Sequence, residues 1–172
     1  MISAWTSDFS VTNFLPFVKN IVERGCHAHP AVALDLSDLD DGSECPVRIV
    51  PMQLQLVIKN LISNAVRAAK KSSSPSLVVK KKMYEHRVEL TITNTGERVP
   101  EDIKVRIFKE IILDNRDGHG MGLWIGRRII RRHGGDLDLL KSDETGTSFM
   151  LWLPLAEEKA ASVLDEVINE QV

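Results

Sequence analysis

Gly118, Gly120 and Gly122 occupy alternate positions in the stretch Asp117–Leu123, directly ahead of apolar spacing of helical period that runs to His133. Glycine inside a helix costs about 1 kcal/mol relative to alanine, so glycines crowded at a helix entry answer to some demand other than helix formation. One such demand is a backbone that passes very close to a guest. Helix N-termini offer free N–H groups and a positive dipole end, and phosphate is the common occupant of such places. A plain glycine-rich loop before a helix satisfies the same pattern. The cluster alone does not separate the two; a facing group of residues elsewhere in the chain is needed.

The frame for such a partner is ordinary. The chain has 172 residues, enough for one domain with a real core, and 43% hydrophobic and 27% charged residues are typical of a globular protein. A formal net charge of −2 points to neither nucleic acid nor an anionic membrane as partner. The run Lys80-Lys81-Lys82 reads as a solvated strand edge, where lysine discourages edge-to-edge pairing. No apolar run approaches the ~18 residues of a membrane helix, so no direct membrane insertion is expected. Cys26, His27 and His29 match no usual zinc spacing, and Cys26 and Cys45 make no disulfide framework. The expected compartment is the cytoplasm, with attachment to a larger membrane-anchored sensor left open.

The organisation follows from hydrophobic periodicity and turn formers. Residues 1–10 read as a polar leader, residues 11–157 as the folded domain and 158–172 as a C-terminal helix or tail, with helical pattern over 156–169. Val11–Arg24 has helical spacing and stops at Gly25, a natural helix C-terminal residue. Ala31–Leu36 and Val47–Val50 read as short strands. A long helix is expected from Pro51 to Lys71, then strands Leu77–Met83 and Arg87–Thr93, and a short helix Glu101–Phe108. Beyond the connection Lys109–Asp117 and the glycine-rich helix, Leu137–Lys141 and Ser148–Leu153 read as a hairpin. Strands and helices without regular βαβ alternation predict an α+β, two-layer α/β sandwich: one mixed sheet with helices on one face.

The long helix supplies the facing group. Leu54, Val57, Ile58, Leu61, Ala65 and Ala68 form its apolar stripe. At about 100° per residue, Asn60, Asn64 and Arg67 fall in one sector of roughly 60°, with Lys71 beside them, flanking the stripe. Asparagine is a poor choice for a helix interior on propensity. Its amide oxygen is a neutral hard ligand suited to Mg²⁺, and an arginine one turn away can neutralise phosphate. Solvated asparagines beside a surface arginine answer the same pattern.

Taken in order, Asn60-Leu61-Ile62-Ser63-Asn64-Ala65, Asn94-Thr95-Gly96, Phe108, Gly118-His119-Gly120-Met121-Gly122-Leu123, His133-Gly134-Gly135 and Gly146-Thr147-Ser148-Phe149 resemble the successive boxes of the histidine-kinase-type ATP-binding domain of the GHKL superfamily. The likeness covers about residues 12–155, and Asn64-Ala65-Val66-Arg67-Ala68-Ala69 is similar to nitrogen-regulator-type sensor kinases. It implies ATP with Mg²⁺ as cofactors, with Asn64 as the Mg²⁺ ligand, Asn60 near the phosphates and Arg67 at a phosphate-contacting position; these three are the expected catalytic residues. It places Lys71, Val99, Ile103, Leu123 and Thr147 in the nucleotide site, and Gly118, His119, Gly120, Met121 and Gly122 under the triphosphate. Phe108 begins the ATP lid, and Arg116 stands in for a lid lysine that falls near Asn115. Gly96 is retained for close backbone approach, while the next family glycine is Arg98. Asn94 replaces the usual aspartate that accepts the adenine amino proton; an amide can accept from adenine N6 and donate to a ring nitrogen. Ala68 removes an aromatic that many relatives stack on adenine.

Hydrolysing members of the superfamily carry glutamate at the position matching Asn60. An amide has no useful basicity, whereas phosphoryl transfer to an imidazole needs positioning and electrostatics only. The resemblance therefore implies a protein-histidine kinase catalytic domain that donates the γ-phosphoryl group to a histidine on a separate dimerising helical hairpin, upstream or in trans, with a response regulator as indirect partner. None of His27, His29, His86, His119 and His133 stands in an acceptor setting, and the chain reads as a catalytic domain cut from a longer sensor or acting on a separate partner. His133 reads as a helix cap at the negative dipole end. The alternatives are a degenerate module that binds nucleotide for regulation, favoured by Asn94, Arg98 and Asn115, and an interaction surface without nucleotide.

Overall fold

In the computed structural model the described residues are 8–109 and 122–156. The main sheet has five strands in the order β2-β4-β5-β7-β6: β2 (Ala33–Asp35), β4 (Ser76–Met83), β5 (Arg87–Asn94), β6 (Asp136–Asp143) and β7 (Gly146–Pro154). β2 runs parallel to β4 and every other pairing is antiparallel. Its buried residues alternate along each strand as a one-sided sheet requires: Val88, Leu90, Ile92 and Asn94 on β5 lie opposite Leu153, Leu151, Phe149 and Thr147 on β7. That face is covered by α1 (Phe14–Cys26), α2 (Pro51–Ala69) and α4 (Gly122–Arg132), and the short α3 (Glu101–Lys104) follows β5. The expected mixed sheet with helices on one face is what forms.

A second, two-stranded sheet was not expected. β1 (Ser10–Asn13) pairs antiparallel with β3 (Pro46–Ile49), so Val11–Asn13 belong to a strand and the first helix begins at Phe14. The physical reason is non-local: Val11 and Thr12 are β-branched and pair with Arg48 and Val47, and Phe14 N–H donates to Cys45 O at 2.8 Å. Gly25 does not end α1 either. It lies inside the helix, where a Cβ would stand 2.9 Å from Ile62 Cγ2, so its bareness lets α1 approach α2 closely.

α2 extends from Pro51 at its first turn to Ala69, two residues short of the expected end. Its buried face is wider than the expected stripe: Ile62, Val66 and Ala69 are buried as well, while Ala68 is only half-buried. Ala68 O instead accepts Glu97 N–H at 3.4 Å. Of the expected helix Glu101–Phe108, only Glu101–Lys104 is helical and the rest continues as turns, with Ile107 buried. Of the lysine run, Lys80 and Lys82 lie on the open face. Lys81 turns under the sheet to pair with Asp41, and its backbone N–H donates to Asp38 Oδ2 at 2.7 Å. The glycine-rich stretch through Met121 and the expected closing helix over 157–169 lie outside the described residues.

Candidate functional site

α2 and α4 pack antiparallel on the sheet, and their contact brings two of the expected boxes together. Gly122, the first residue of α4, faces the Asn60 side chain so closely that a Cβ there would lie 2.2 Å from both Asn60 Oδ1 and Nδ2. One turn further along α2, Asn64 Oδ1 accepts a hydrogen bond from Arg67 Nη2 at 3.2 Å. The amide oxygens of Asn60 and Asn64 therefore sit on the sector of α2 that meets the N-terminus of α4, where free N–H groups and the positive dipole end lie. Arg116, Gly118, His119, Gly120 and Met121 lie outside the described residues.

The other end of the site is built from β5 and β7. Asn94, the last residue of β5, is 2% exposed and stands opposite Thr147. Its Nδ2 donates to Thr95 O at 2.8 Å, which leaves Oδ1 as the end of the amide free to accept from a ligand. Gly96 has φ +102° and touches the α2 backbone: a Cβ would come within 2.0 Å of Ala68 O. Only glycine combines that conformation with that approach. Gly146 likewise lies against Asn94 O, where a Cβ would be at 1.9 Å.

Thr147 is buried, and its Oγ1 lies 2.9 Å from Ser142 Oγ, which accepts the Val99 N–H at 2.7 Å. Ser142 also holds Lys104 Nζ through its carbonyl, at 2.7 Å. Ser142 thus ties the segment after Gly96 to the β6–β7 hairpin. Sequence reasoning missed it; its only signal is its place opposite Thr147. Val99, Ile103, Phe108 and Leu123 are half-buried and pack on the core. The Phe108 ring meets Phe149 edge-on at 6.4 Å and carries the Arg127 guanidinium at 4.9 Å. Lys71, expected beside the phosphates, lies beyond the end of α2 and pairs with Glu97 at the surface.

Two further groups fix α4. Arg127 and Arg131 both grip Asp136, Arg127 through Nε at 2.8 Å and Nη2 at 3.0 Å, and hold its carboxyl well below the usual carboxylate range. His133 is buried and neutral: its Nδ1 lies 2.7 Å from Ile129 O, and Nε2 accepts the Val50 N–H at 2.9 Å. Burial lowers its pKa, so it caps α4 as a bridging imidazole and not as the cation that a dipole argument favours.

Residues 49–157 match the family described as histidine kinase-, DNA gyrase B- and HSP90-like ATPase. The chain belongs to this family. Among curated relatives of this ATPase family, the sensor protein FixL of Bradyrhizobium diazoefficiens is 31% identical over 121 residues, 70% of this chain and 24% of FixL. The sensor histidine kinase ZraS of Salmonella typhimurium is 31% identical over 105 residues, 61% of this chain and 22% of ZraS. The chain thus spans about a quarter of the length of these two relatives. The catalytic domain of histidine kinase ThkA shares the fold with a TM-score of 0.69 at 22% identity, covering 86% of this chain and 96% of that domain. A mycobacterial sensor histidine kinase, MprB, superposes with a TM-score of 0.69 at 18% identity, covering 86% of this chain and 98% of that structure. These likenesses are to ATP-binding catalytic domains of sensor histidine kinases, and they lend no support to a degenerate module. Among the described residues no helix is long and apolar enough to cross a membrane.

Proposed function

We propose that this chain binds ATP with Mg²⁺ between α2 and the N-terminus of α4 and presents the γ-phosphoryl group to a histidine on a separate dimerising helical hairpin. The observation that carries the proposal is Gly122 set so closely against Asn60 that any side chain at 122 would displace the amide. The residues fit the group: the buried Asn94 keeps Oδ1 to accept from a ligand, and the amide oxygens on α2 suit a hard cation that keeps phosphate oxygens and waters as its other ligands. ATP when bound supplies the transferable phosphoryl group, and Mg²⁺ neutralises the charge that develops on it.

The chain's own part is positioning. Asn94 Oδ1 accepts from the adenine amino group, with Nδ2 already held by Thr95 O. Asn64 offers its amide oxygen to Mg²⁺, and Arg67, now its hydrogen-bond donor, turns to phosphate. Asn60 would orient phosphate without acting as a base, which disfavours hydrolysis against transfer. Val99, Ile103, Phe108, Leu123 and Thr147 shape the base side, Lys71 lies at its margin, and Arg116, Gly118, His119, Gly120, Met121 and Gly122 are assigned to phosphate binding. The domain then comprises residues 11–157, and a response regulator receives the phosphoryl group from the hairpin. Calorimetry with Mg²⁺-ATP, followed by labelling of a supplied hairpin with γ-labelled ATP, tests this reading. Binding that is lost in Asn64→Asp, together with hairpin labelling, supports it. Absence of binding by the native chain sinks it, and binding without labelling of any hairpin supplied reduces it to nucleotide binding alone.

A further inference from the structure

A hollow of about 300 Å³ opens between the C-terminal end of α1 and the outward side of α2. His29, Lys59, Arg67 and Lys70 line it, Ser63 adds a hydroxyl, and Ile62 forms part of its apolar floor. No carboxylate belongs to its lining. The Lys59 and Lys70 ammonium groups make no ion pair or hydrogen bond among the described residues. The hollow exists because Gly25 lets α1 lie against Ile62. Two of the last α1 carbonyls, Glu23 O and Cys26 O, already accept the N–H groups of His27 and His29 at 2.9 and 2.8 Å.

At about 100° per residue, Lys59, Ser63 and Lys70 cluster on α2 about 100° from Asn60 and Asn64. This is a different side of the helix from the proposed nucleotide site, and Arg67 falls between the two. Its guanidinium lines the hollow while Nη2 donates to Asn64 Oδ1 at 3.2 Å. We propose that the hollow binds a compact multivalent oxyanion, of the phosphate or pyrophosphate class, and that Arg67 is shared between this site and the metal-side amide of Asn64. The compactness follows from cations gathered around one concavity, where a long acidic segment would need them strung along a surface. An anion seated there draws on the same guanidinium that donates to Asn64 and so weakens that hydrogen bond. That last step rests on the proposed nucleotide reading; the anion site does not.

The test is a titration of the ¹⁵N-labelled chain, free of metal and nucleotide, with inorganic phosphate and then pyrophosphate at constant ionic strength. Saturable amide shifts at His29, Lys59, Ser63 and Lys70 are expected. The double variant Lys59→Ala/Lys70→Ala, exposed positions within and just after α2 where alanine is well tolerated, should weaken binding about tenfold through loss of two nearby charges. Asn60→Ala should leave it unchanged. Absence of saturable shifts overturns the proposal, and so does binding lost in Asn60→Ala but kept in the lysine variant, since the anion then sits in the nucleotide site. Saturation by a hexaglutamate peptide with none by either inorganic anion also overturns it. The shared role of Arg67 predicts that phosphate changes Mg²⁺-ATP affinity at least twofold in the native chain and not in the lysine variant; equal behaviour of the two removes that link. A chain that binds no ATP at all would end the nucleotide reading and leave the anion titration interpretable.

Discussion

Gly122→Ala isolates the contact on which the functional reading turns. The added Cβ would sit 2.2 Å from both terminal atoms of Asn60 and 2.3 Å from its Cγ, more than 1 Å inside an ordinary contact. The obstacle is a half-exposed side chain, so it can be relieved by swinging Asn60 to another rotamer at about 0.5–1.5 kcal/mol. Alanine in place of glycine in a helix returns up to about 1 kcal/mol. The net effect on folding should lie within about 1 kcal/mol, or about 2–4 °C in Tm for a chain of this size. Binding is another matter. If Asn60 donates to or orients a charged group, its removal costs about 1.5–3 kcal/mol, a roughly 10- to 150-fold loss in Mg²⁺-ATP affinity. A calorimetric double-mutant cycle with Asn60→Ala decides the cause. In the Asn60→Ala background the glycine change should cost less than about threefold. An undiminished loss there would mean that the Cβ obstructs something other than Asn60, and a Tm drop beyond about 8 °C would mean that the clash is not relieved by rotation; either result refutes the reasoning.

Three further outcomes follow from the geometry. His133 titrates below its ordinary value of 6.5 because it is buried neutral; the folded state therefore binds fewer protons than the unfolded state, and stability should be full above about pH 6.5 and decline as pH falls below it. Urea unfolding from pH 7.5 to 5 measures this, and His133→Phe should flatten the slope while lowering stability at pH 7.5 by leaving Val50 N–H without its acceptor. Gly96→Ala should be severely destabilising, about 3 kcal/mol or more and a Tm loss of about 6–12 °C, because φ +102° and a backbone carbonyl 2.0 Å from the new Cβ leave nothing flexible to yield; thermal melts of the variant check it. Asp136→Asn should loosen α4, seen as faster amide exchange along Gly122–Arg132. Because the native carboxyl is held ionised by Arg127 and Arg131, its contribution is present above the ordinary carboxylate value of 3.8 and lost as pH falls below it, so the variant should also lose part of the native chain's acid sensitivity between about pH 4 and 2.

The parts of the fold that were legible are those whose signal is local. α2 declares itself through nineteen residues of consistent period and a proline at its start, and β5 through strict alternation from Arg87 to Asn94. β1 was hidden because its reason for being extended lies in β3, about thirty-five residues away, and because Val11-Thr12-Asn13 lead directly into a genuine helical pattern. Gly25 carried the usual sign of a helix end, but its real constraint is the Ile62 side chain on another helix. In the candidate site, Asn60, Asn64 and Gly122 could be picked out because amides in a helix interior and glycines at a helix entry violate local preference, whereas Asn94 and Gly96 stood out only through the family resemblance. Ser142 violates nothing, and its bonds to Val99 and Thr147 exist only once three segments meet. Likewise the pattern at His133-Gly134-Gly135 marks a helix end, yet nothing nearby in sequence reveals that the ring reaches Val50.

That reach has a mechanical meaning. Val50 immediately precedes α2 and His133 immediately follows α4, so one imidazole bolts together two helices that also meet where Asn60 faces Gly122. Ten residues separate Val50 from Asn60, about 15 Å of helix. Between these two points Gly126 lies against Val57, so the helices touch along the length from the imidazole to Asn60. A change at the imidazole should therefore be felt at Gly122, in the proposed site, although His133 is bonded to neither Gly122 nor Asn60.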